Sequence, residues 1–441
     1  MKGFHHRDTE TQRMDVLDRE GLLPSPASGR RAGDEGLCAE TKLGYFSTPL
    51  TLTLSRLRER GFVRCFSKKA FLCVSVSLIK LLAIRLSCQK TAAKSLVMWL
   101  MVFPAQAADV LHLYNWNNYI SDATIARFEE KCACRVVQDY YSDNEEMLAK
   151  LAAGATGYDL IVPTGNAMEA LIRQRALRPL DKSLLPDLKN IAPAYLDTVF
   201  DPGNKYSVPY AYTLTLIGYN SEKLRELQLP VDSWAVIFEP RYLEKIKGRV
   251  TVLDSQRELL AAALKYLGYS ANDTNEDHWQ QARDLILRAK PYWAAFNASS
   301  YIKELTVGNI WLVHGYSNDI FQADLDAQKA QRGFRILASI PKEGAVLALD
   351  SMVLHKSGPR PDLAHQFIEF MLGGRNSSEL TNLIGSGNPN LAARQYIQPE
   401  IAQSPAVFPD RAQQARLEML RDLDRHQRRV LSRIWTEIKL R

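Results

Sequence analysis

Residues 110–141 read VLHLYNWNNYISDATIARFEEKCACRVVQDYY, and this stretch decides the fold class. The run from Val110 to Trp116 is apolar and rich in β-forming residues, which predicts a strand. Ser121 and Asp122 then cap an amphipathic segment over 123–131, and residues 135–141 repeat the strand pattern. Two strands joined by a short helix predict a parallel sheet with a right-handed crossover.

The same alternation continues along the chain. Strand patterns occur at 158–163, 249–253 and 309–314, and helical patterns at 143–151, 167–176, 257–267 and 319–329. The residues from 108 onward are enough for two domains of ordinary size. We therefore predict an α/β protein with two lobes, each a mainly parallel sheet flanked by helices.

The composition is that of an ordinary globular protein, with 46% hydrophobic and 24% charged residues. The formal charge of +7 comes from residues 1–107, which hold 17 Lys and Arg against 9 Asp and Glu. The remaining residues hold 39 basic and 40 acidic side chains, so they offer no positive surface for a phosphate backbone. We therefore exclude nucleic acid as a partner.

Residues 94–107, KSLVMWLMVFPAQA, have the layout of a secretory signal: a basic start, an apolar core and a small-x-small end at Ala105 and Ala107. We expect cleavage before Ala108. The apolar run is shorter than the ~20 residues that span a bilayer, which disfavours a transmembrane anchor. Residues 1–107 are thus interpreted as a leader, with an over-extended start before the signal. The alternative is a cytoplasmic extension held by an uncleaved anchor.

Cysteine usage excludes a disulfide framework. Four of the six cysteines lie in the leader, and only Cys132 and Cys134 remain in the body. The single Cys-Ala-Cys pair leaves two readings open, two free thiols or one small disulfide at a helix end. The body's histidines show no metal-ligand spacing, so we expect neither a metal site nor a cofactor.

Ligands of open α/β sheets bind beyond the carboxyl ends of the strands. At those positions the chain places aromatic and acidic side chains: Trp116, Tyr119, Asp254, Glu258, Tyr316, Asp319 and Asp350. We expect Asp254 to cap the helix that follows it. A carboxylate pairs with an ammonium group and a ring face packs against its methylenes, so this set favours an organic cation, with two carboxylates suiting a diamine.

Ordered motifs resemble the periplasmic polyamine-binding proteins of ABC transporters. They are YNWNNY at 114–119, YDLIVP at 158–163, YSVPY at 206–210, IGYN at 217–220, GNI at 308–310, IPKEGA at 340–345 and NPNLAA at 388–393. The putrescine-binding branch is most similar, through ASSY at 298–301, DIFQA at 319–323 and IWTEIK at 434–439. The resemblance covers residues 108–441 and leaves out the leader.

The resemblance implies a two-lobed type II periplasmic binding fold with a hinge between its lobes. Lobe 1 is expected to comprise 108–214 and 349–395, and lobe 2 to comprise 215–348 and 396–441. The family pattern also implies the ligand-binding residues, namely Trp116, Asn117, Tyr119, Thr164, Glu258, Tyr316, Asp319 and Asp350. Trp116 and Tyr119 match the aromatic pair that sandwiches the ligand.

Some positions depart from the family pattern. Ala348 and Ser386 stand where the family carries aromatic side chains, and Asn166 stands where spermidine-preferring members carry a Tyr. Ser255 replaces one carboxylate of the acidic pair that includes Glu258. Because two aromatic walls are lost while the acids are kept, the sequence leaves open which amine binds and how tightly.

The resemblance implies a periplasmic receptor that captures a putrescine-like di- or polyamine and delivers it to an ABC permease, with no membrane contact of its own except through that permease. Catalysis is not expected, because the sequence has no Gly-x-Ser-x-Gly elbow, phosphate loop or zinc-type His pair. Two alternatives stay open: an amine-sensing lobe for a membrane signalling partner, and a diverged paralogue that binds another cationic small molecule.

Overall fold

The computed structural model of the protein describes residues 109–441. The strands are β1 (Val110–Trp116), β2 (Arg135–Tyr141), β3 (Leu160–Ile161), β4 (Leu177–Arg178), β5 (Ser207–Asn220), β6 (Val250–Val252), β7 (Ala295–Phe296), β8 (Leu312–Tyr316), β9 (Ile336–Ser339), β10 (Ala345–His355) and β11 (Leu417–Glu418). The predicted cleavage site and signal lie outside the described residues.

Fifteen α-helices lie between and after these strands within 109–441. They are α1 (Asp122–Cys132), α2 (Asn144–Ala152), α3 (Gly165–Arg173), α4 (Ser221–Glu226), α5 (Ala235–Phe238), α6 (Pro240–Leu243), α7 (Gln256–Tyr266), α8 (Glu276–Ala289), α9 (Tyr301–Val307), α10 (Ser317–Lys329), α11 (Pro361–Leu372), α12 (Gly374–Ile384), α13 (Pro399–Ala402), α14 (Arg411–Gln414) and α15 (Arg425–Leu440).

The strands form one mixed sheet in the order β2-β1-β3-β10-β5-β8-β6-β7, with β4 and β11 also paired to β10 and β9 paired to β5. Strands β2, β1 and β3 pair in parallel at one end, and β8, β6 and β7 pair in parallel at the other. Strands β5 and β10 pair antiparallel to each other between these two parallel groups. The predicted alternation of strands and helices is therefore confirmed, but no strand range was predicted from the sequence for either central strand, β5 or β10.

Strand β10 changes one expectation about the site. Asp350 was predicted to lie at a strand end, but it lies inside β10, opposite Ala211 of β5. The pairing of β10 with β5 shifts register between Asp350 and Ser351. Such an irregularity redirects side chains locally, which explains how an acidic residue is accommodated in a buried central strand.

Local capping explains where the helices begin. The Ser121 side chain accepts a hydrogen bond from the backbone N–H of Thr124 and starts α1, and the Asp143 side chain does the same for α2. Helix α1 ends at Cys132 because Ala133 adopts a left-handed conformation, with φ 52°. Cys132 and Cys134 form a disulfide across this helix end, which selects one of the two readings left open by the sequence.

Helices pack against the strands of the sheet and bury its side chains. Trp234, Trp279, Tyr114 and Phe128 are among the large side chains with almost no exposed surface. Among residues 109–441 no helix is both long and apolar enough to cross a membrane. The same residues contain no cluster of three or more His, Cys, Asp or Glu side chains that could hold a metal ion.

Candidate functional site

Two aromatic side chains lie at the end of β1 and just after it. Trp116 is the last residue of this strand, and its indole N–H donates to the carbonyl of Val162 at 2.8 Å. The Tyr141 hydroxyl donates to the same carbonyl at 2.5 Å, and its ring centroid lies 4.6 Å from that of Trp116. Tyr119 is buried, with its ring centroid 6.4 Å from that of Trp116. One hydrogen bond and the neighbouring Tyr141 ring thus hold the Trp116 ring, which stays half-buried.

Asp350 is a buried carboxylate held by two hydroxyl groups. Tyr119 donates to Oδ2 at 2.6 Å, and Thr164 donates to Oδ1 at 2.6 Å. Burial raises the pKa of Asp350 to about 6, although both hydrogen bonds act to lower it. Both donors are neutral, and Asp350 has no ion-pair partner within 109–441. The charge of Asp350 is therefore hydrogen-bonded but not neutralised.

Glu258 is a second buried acid, in the first turn of α7. Burial raises the pKa of Glu258 to about 6, with the nearby Thr215 hydroxyl and the Arg257 charge acting in the opposite direction. Arg257 forms no ion pair with Glu258, and its guanidinium donates to the carbonyl of Arg421 at 2.9 Å. Glu258 Oε2 has no hydrogen-bond partner in the described part of the chain.

The capping of α7 corrects the expectation for Asp254. Ser255, not Asp254, is the N-cap residue, and its hydroxyl accepts a hydrogen bond from the Glu258 backbone N–H at 3.4 Å. Asp254 is exposed and pairs with Lys439 Nζ at 2.8 Å. The family position at which Ser255 replaces a carboxylate therefore anchors the turn that carries Glu258.

Asp319 is the third acid, in the first turn of α10. The Tyr301 hydroxyl donates to Asp319 Oδ2 at 2.5 Å, and the Asn318 amide donates to Oδ1 at 3.0 Å. Burial raises the pKa of Asp319, and the hydrogen bond from Tyr301 acts to lower it. As with Asp350, both hydrogen-bond donors are neutral groups.

The three acids converge on Tyr316, the last residue of β8. Burial raises the pKa of the Tyr316 hydroxyl, and the negative charges of Glu258, Asp319, Glu145 and Asp350 raise it further. The acids from β10, α7 and α10 therefore all act electrostatically on one tyrosine hydroxyl. Ring contacts and hydrogen bonds link four of the predicted site residues, Trp116, Tyr119, Thr164 and Asp350. Tyr301 links two more, Asp319 and Tyr316, and Glu258 is connected to them by its effect on Tyr316.

Asn117, which follows Trp116, is exposed, and its side chain makes no hydrogen bond to any described residue. Ala348 is half-buried on β10, opposite Thr213, and Asn166 is half-buried in α3. Ser386 is fully buried, and its hydroxyl has no hydrogen-bond partner among residues 109–441. Because Ala348 and Ser386 carry no ring, neither position supplies an aromatic wall.

Sequence reasoning missed two polar residues at the site. Tyr301 holds Asp319, and Thr215 of β5 lies beside Glu258 and opposite Tyr316 in the sheet. Tyr301 ends the ASSY motif that carries part of the family resemblance, so a signal for it was present. Thr215 gave no signal, because it lies within an apolar stretch of a long central strand.

The arrangement favours a ligand that carries positive charge and N–H groups. Glu258 Oε2, Thr215 Oγ1 and Asn318 Oδ1 are buried oxygen atoms without a hydrogen-bond donor among residues 109–441. Buried acceptors and unneutralised carboxylates are costly unless a donor or a cation reaches them. An ammonium group satisfies both requirements at once.

Comparisons with known proteins agree with this geometry. Residues 123–409 match the family described as bacterial extracellular solute-binding protein. The chain is 60% identical over 348 residues to the "Putrescine/cadaverine-binding protein" of Pseudomonas aeruginosa, covering 78% of this chain and 98% of that relative. It is 37% identical over 336 residues to the "Putrescine-binding periplasmic protein PotF" of Escherichia coli, covering 75% of this chain and 91% of the relative.

Solved structures show the same fold. A putative spermidine/putrescine ABC transporter protein from Listeria monocytogenes superposes with a TM-score of 0.67 at 30% identity, covering 76% of this chain and 99% of that one. The substrate-binding protein PotD of Streptococcus pneumoniae gives a TM-score of 0.68 at 26% identity, again covering 76% and 99%. The fold is thus the type II periplasmic binding fold that the resemblance implied.

These relatives are binding proteins rather than enzymes, as expected from the sequence. The Escherichia coli relative is named as periplasmic and the family is described as extracellular, which implies an exported protein. The family match and the relatives cover nearly all of the described residues. The chain therefore belongs to the family of bacterial extracellular solute-binding proteins.

Proposed function

We propose that this protein captures a small aliphatic di- or polyamine, of putrescine or cadaverine type, and delivers it to an ABC permease. Trp116, Tyr119 and Tyr316 pack against the methylenes, while Glu258, Asp319 and Asp350 pair with the ammonium groups. The ligand is bound and released without chemical change. Capture takes place in the periplasm, after export directed by a signal at 94–107.

One observation carries the proposal: Glu258, Asp319 and Asp350, of which the first and last are buried and Asp319 is half-buried, all raise the pKa of the Tyr316 hydroxyl, and none has an ion-pair partner within the described residues. Like charges in a common site repel, and each buried charge without a counter-charge is costly. A dication relieves both costs, whereas a neutral sugar relieves neither. A ligand with its own carboxylate needs a basic partner, and none of the side chains that donate hydrogen bonds to Asp319 and Asp350 is basic.

The relatives support the same class of ligand. The Pseudomonas aeruginosa relative at 60% identity is named for putrescine and cadaverine, and the Escherichia coli relative at 37% identity is named for putrescine. Both diamines carry an ammonium group at each end of a short methylene chain. Such a molecule fits a site in which acids pair with the two ammonium groups and aromatic faces pack against the methylenes between them.

We propose that the ligand lies between two lobes, 108–214 with 349–395 and 215–348 with 396–441. Asp350 and its two donors belong to the first lobe, and Glu258, Tyr316 and Asp319 belong to the second. Closure of the lobes then brings both groups onto one ligand and creates the surface that the permease recognises.

The test is isothermal titration calorimetry with putrescine and cadaverine on two charge-neutralising variants, Asp319→Asn and Asp350→Asn. Each is expected to weaken binding by about 2 kcal/mol or more, roughly 30-fold in Kd, because one ammonium group then lacks its counter-charge. Asp326→Asn is the matched control, since Asp326 is on the same helix as Asp319 but pairs with Lys329 at the surface.

Two results contradict the proposal. If the wild-type protein binds none of putrescine, cadaverine, spermidine and agmatine more tightly than millimolar, the amine assignment is wrong. If both cleft variants bind as the Asp326→Asn control does, the acids do not pair with the ligand.

A further inference from the structure

We propose that Tyr301 is a positioning residue for the amine site: its hydroxyl fixes the Asp319 carboxylate and the backbone of Tyr316 together. This inference rests on the proposed function. Tyr301 is buried, with 1% of its surface exposed, so it acts through these two residues rather than by touching the ligand.

A single hydroxyl makes both contacts. Tyr301 donates to Asp319 Oδ2 at 2.5 Å and accepts from the Tyr316 backbone N–H at 3.2 Å. A phenol hydroxyl offers one donor and acceptor capacity, so the two bonds are compatible. The first bond sets the rotation of the carboxylate, and the second fixes the end of β8, where the aromatic ring of Tyr316 begins. The Tyr301 hydroxyl oxygen therefore positions both the Asp319 carboxylate and the Tyr316 ring, which face the ligand.

The surroundings of Tyr301 hold the hydroxyl in place. The Asn297 side chain accepts hydrogen bonds from the backbone N–H groups of Ser299 and Ser300, both at 2.9 Å, and so fixes the turn before α9. On the other side, Gly315 leaves room for the ring: a Cβ at that position would lie 2.9 Å from Tyr301 Cε2. The ring is thus held between a fixed turn and the backbone of β8.

Fixing Asp319 in advance has a consequence for affinity. Asn318 donates to the other carboxylate oxygen at 3.0 Å, so both oxygens of Asp319 are oriented before the ligand arrives. A side chain that is already ordered loses little conformational freedom on binding, and this improves affinity. Without the Tyr301 hydroxyl, Asp319 is free to rotate and one of its charge-stabilising hydrogen bonds is lost.

The test is a double-mutant cycle measured by calorimetry with the diamine that binds the wild-type protein most tightly. Tyr301→Phe keeps the ring and removes the hydroxyl, and it is expected to weaken binding about tenfold or more. In an Asp319→Ala background, which has no carboxylate to position, the same change is expected to cost less than about twofold. A role in stability alone would give the same loss in both backgrounds.

Tyr266→Phe is the matched control. Tyr266 also donates to a carboxylate, Glu239 Oε1 at 2.6 Å, but it lies at the far end of α7 from Glu258. This variant is expected to bind like the wild type. Should Tyr301→Phe fold poorly, Gly315→Ala displaces the hydroxyl with the tyrosine intact, and it is also expected to weaken binding.

The outcomes separate the two proposals. If the wild type binds a diamine but Tyr301→Phe binds equally well, or loses the same affinity with and without the Asp319 carboxylate, Tyr301 has no positioning role and the proposed function stands. If the wild type binds no diamine, both proposals fail.

Discussion

Asp350 and Asp319 are held in the same way although they come from different parts of the chain. Each carboxylate accepts one hydrogen bond from a tyrosine hydroxyl and a second from another neutral group. Neutral donors orient a carboxylate but leave its charge in place, and orientation before binding lowers the entropy cost of capturing a cation. At the scale of single residues, the site is thus preorganised for positive charge.

Ligand affinity is expected to depend on pH because Asp350 and Glu258 both have a pKa of about 6 in the ligand-free protein. A diamine pairs with the ionised acids, so binding must release the protons that these acids hold at low pH. From pH 7 to pH 5 the affinity should fall, by up to about tenfold for each acid, while above pH 7 it should change little. Calorimetry in buffers of different ionisation enthalpy measures both the affinity and the protons released.

The stability of the ligand-free protein should move in the opposite direction. Burial raises the folded-state pKa of these two acids above their unfolded values, so they favour the folded state at low pH, and this contribution is lost as pH rises to about 6. The gain in thermal stability on adding a diamine should therefore increase with pH. An affinity that stays constant between pH 5 and pH 7, with no proton release, would contradict this account of the acids.

Much of the site was predictable because its residues carry local signals. Trp116, Tyr119, Tyr316 and Asp319 lie at or just after strand ends, where ligands of α/β sheets bind. Asp350 was predicted at a strand end but lies inside β10, so that signal was wrong for it, and the family resemblance supported the same residue. Tyr301 and Thr215 were missed because they act on other residues of the site through contacts that depend on the tertiary structure.

At the scale of elements, the predicted helices were correct to within a few residues where a capping residue marks the start. The helix predicted at 257–267 is α7, Gln256–Tyr266, with Ser255 as its cap. The strand predicted at 158–163 is shorter, Leu160–Ile161, because only these residues pair with β1 in the sheet. Periodicity reports the burial of a segment and not its hydrogen-bond partners, so strand ends are harder to predict than helix caps.

Strands β5 and β10 connect the two parallel groups of the sheet, and we propose that they form the hinge. Both strands are long and almost entirely buried. Strand β10 pairs with β3 of one parallel group, and β5 pairs with β8 of the other. Small changes in two paired strands rotate the groups as rigid bodies. Small-angle scattering should therefore show a smaller radius of gyration when a saturating diamine is added. Profiles that coincide with and without ligand, under conditions where calorimetry shows saturation, would exclude closure about this hinge.

At the scale of the whole molecule, the fold and the charges support the same function. Residues after 107 carry almost balanced charge, 39 basic and 40 acidic, yet Glu258 and Asp350 are buried and Asp319 is half-buried, all three without an ion-pair partner among the described residues. A protein with ample surface for its charges gains no stability from removing these three from water. We therefore propose that a cationic ligand, rather than the fold, accounts for their position.

The most direct test compares putrescine with 1,4-butanediol by calorimetry at pH 7.5, since the two share a four-carbon chain and differ in their terminal charges. Cadaverine and 1,5-pentanediol form a second pair. The account predicts that at least one diamine binds at micromolar Kd or tighter, while neither diol binds measurably. Equal binding of a diamine and its diol, or no binding of either diamine, would contradict the claim that the buried acids recognise a dication.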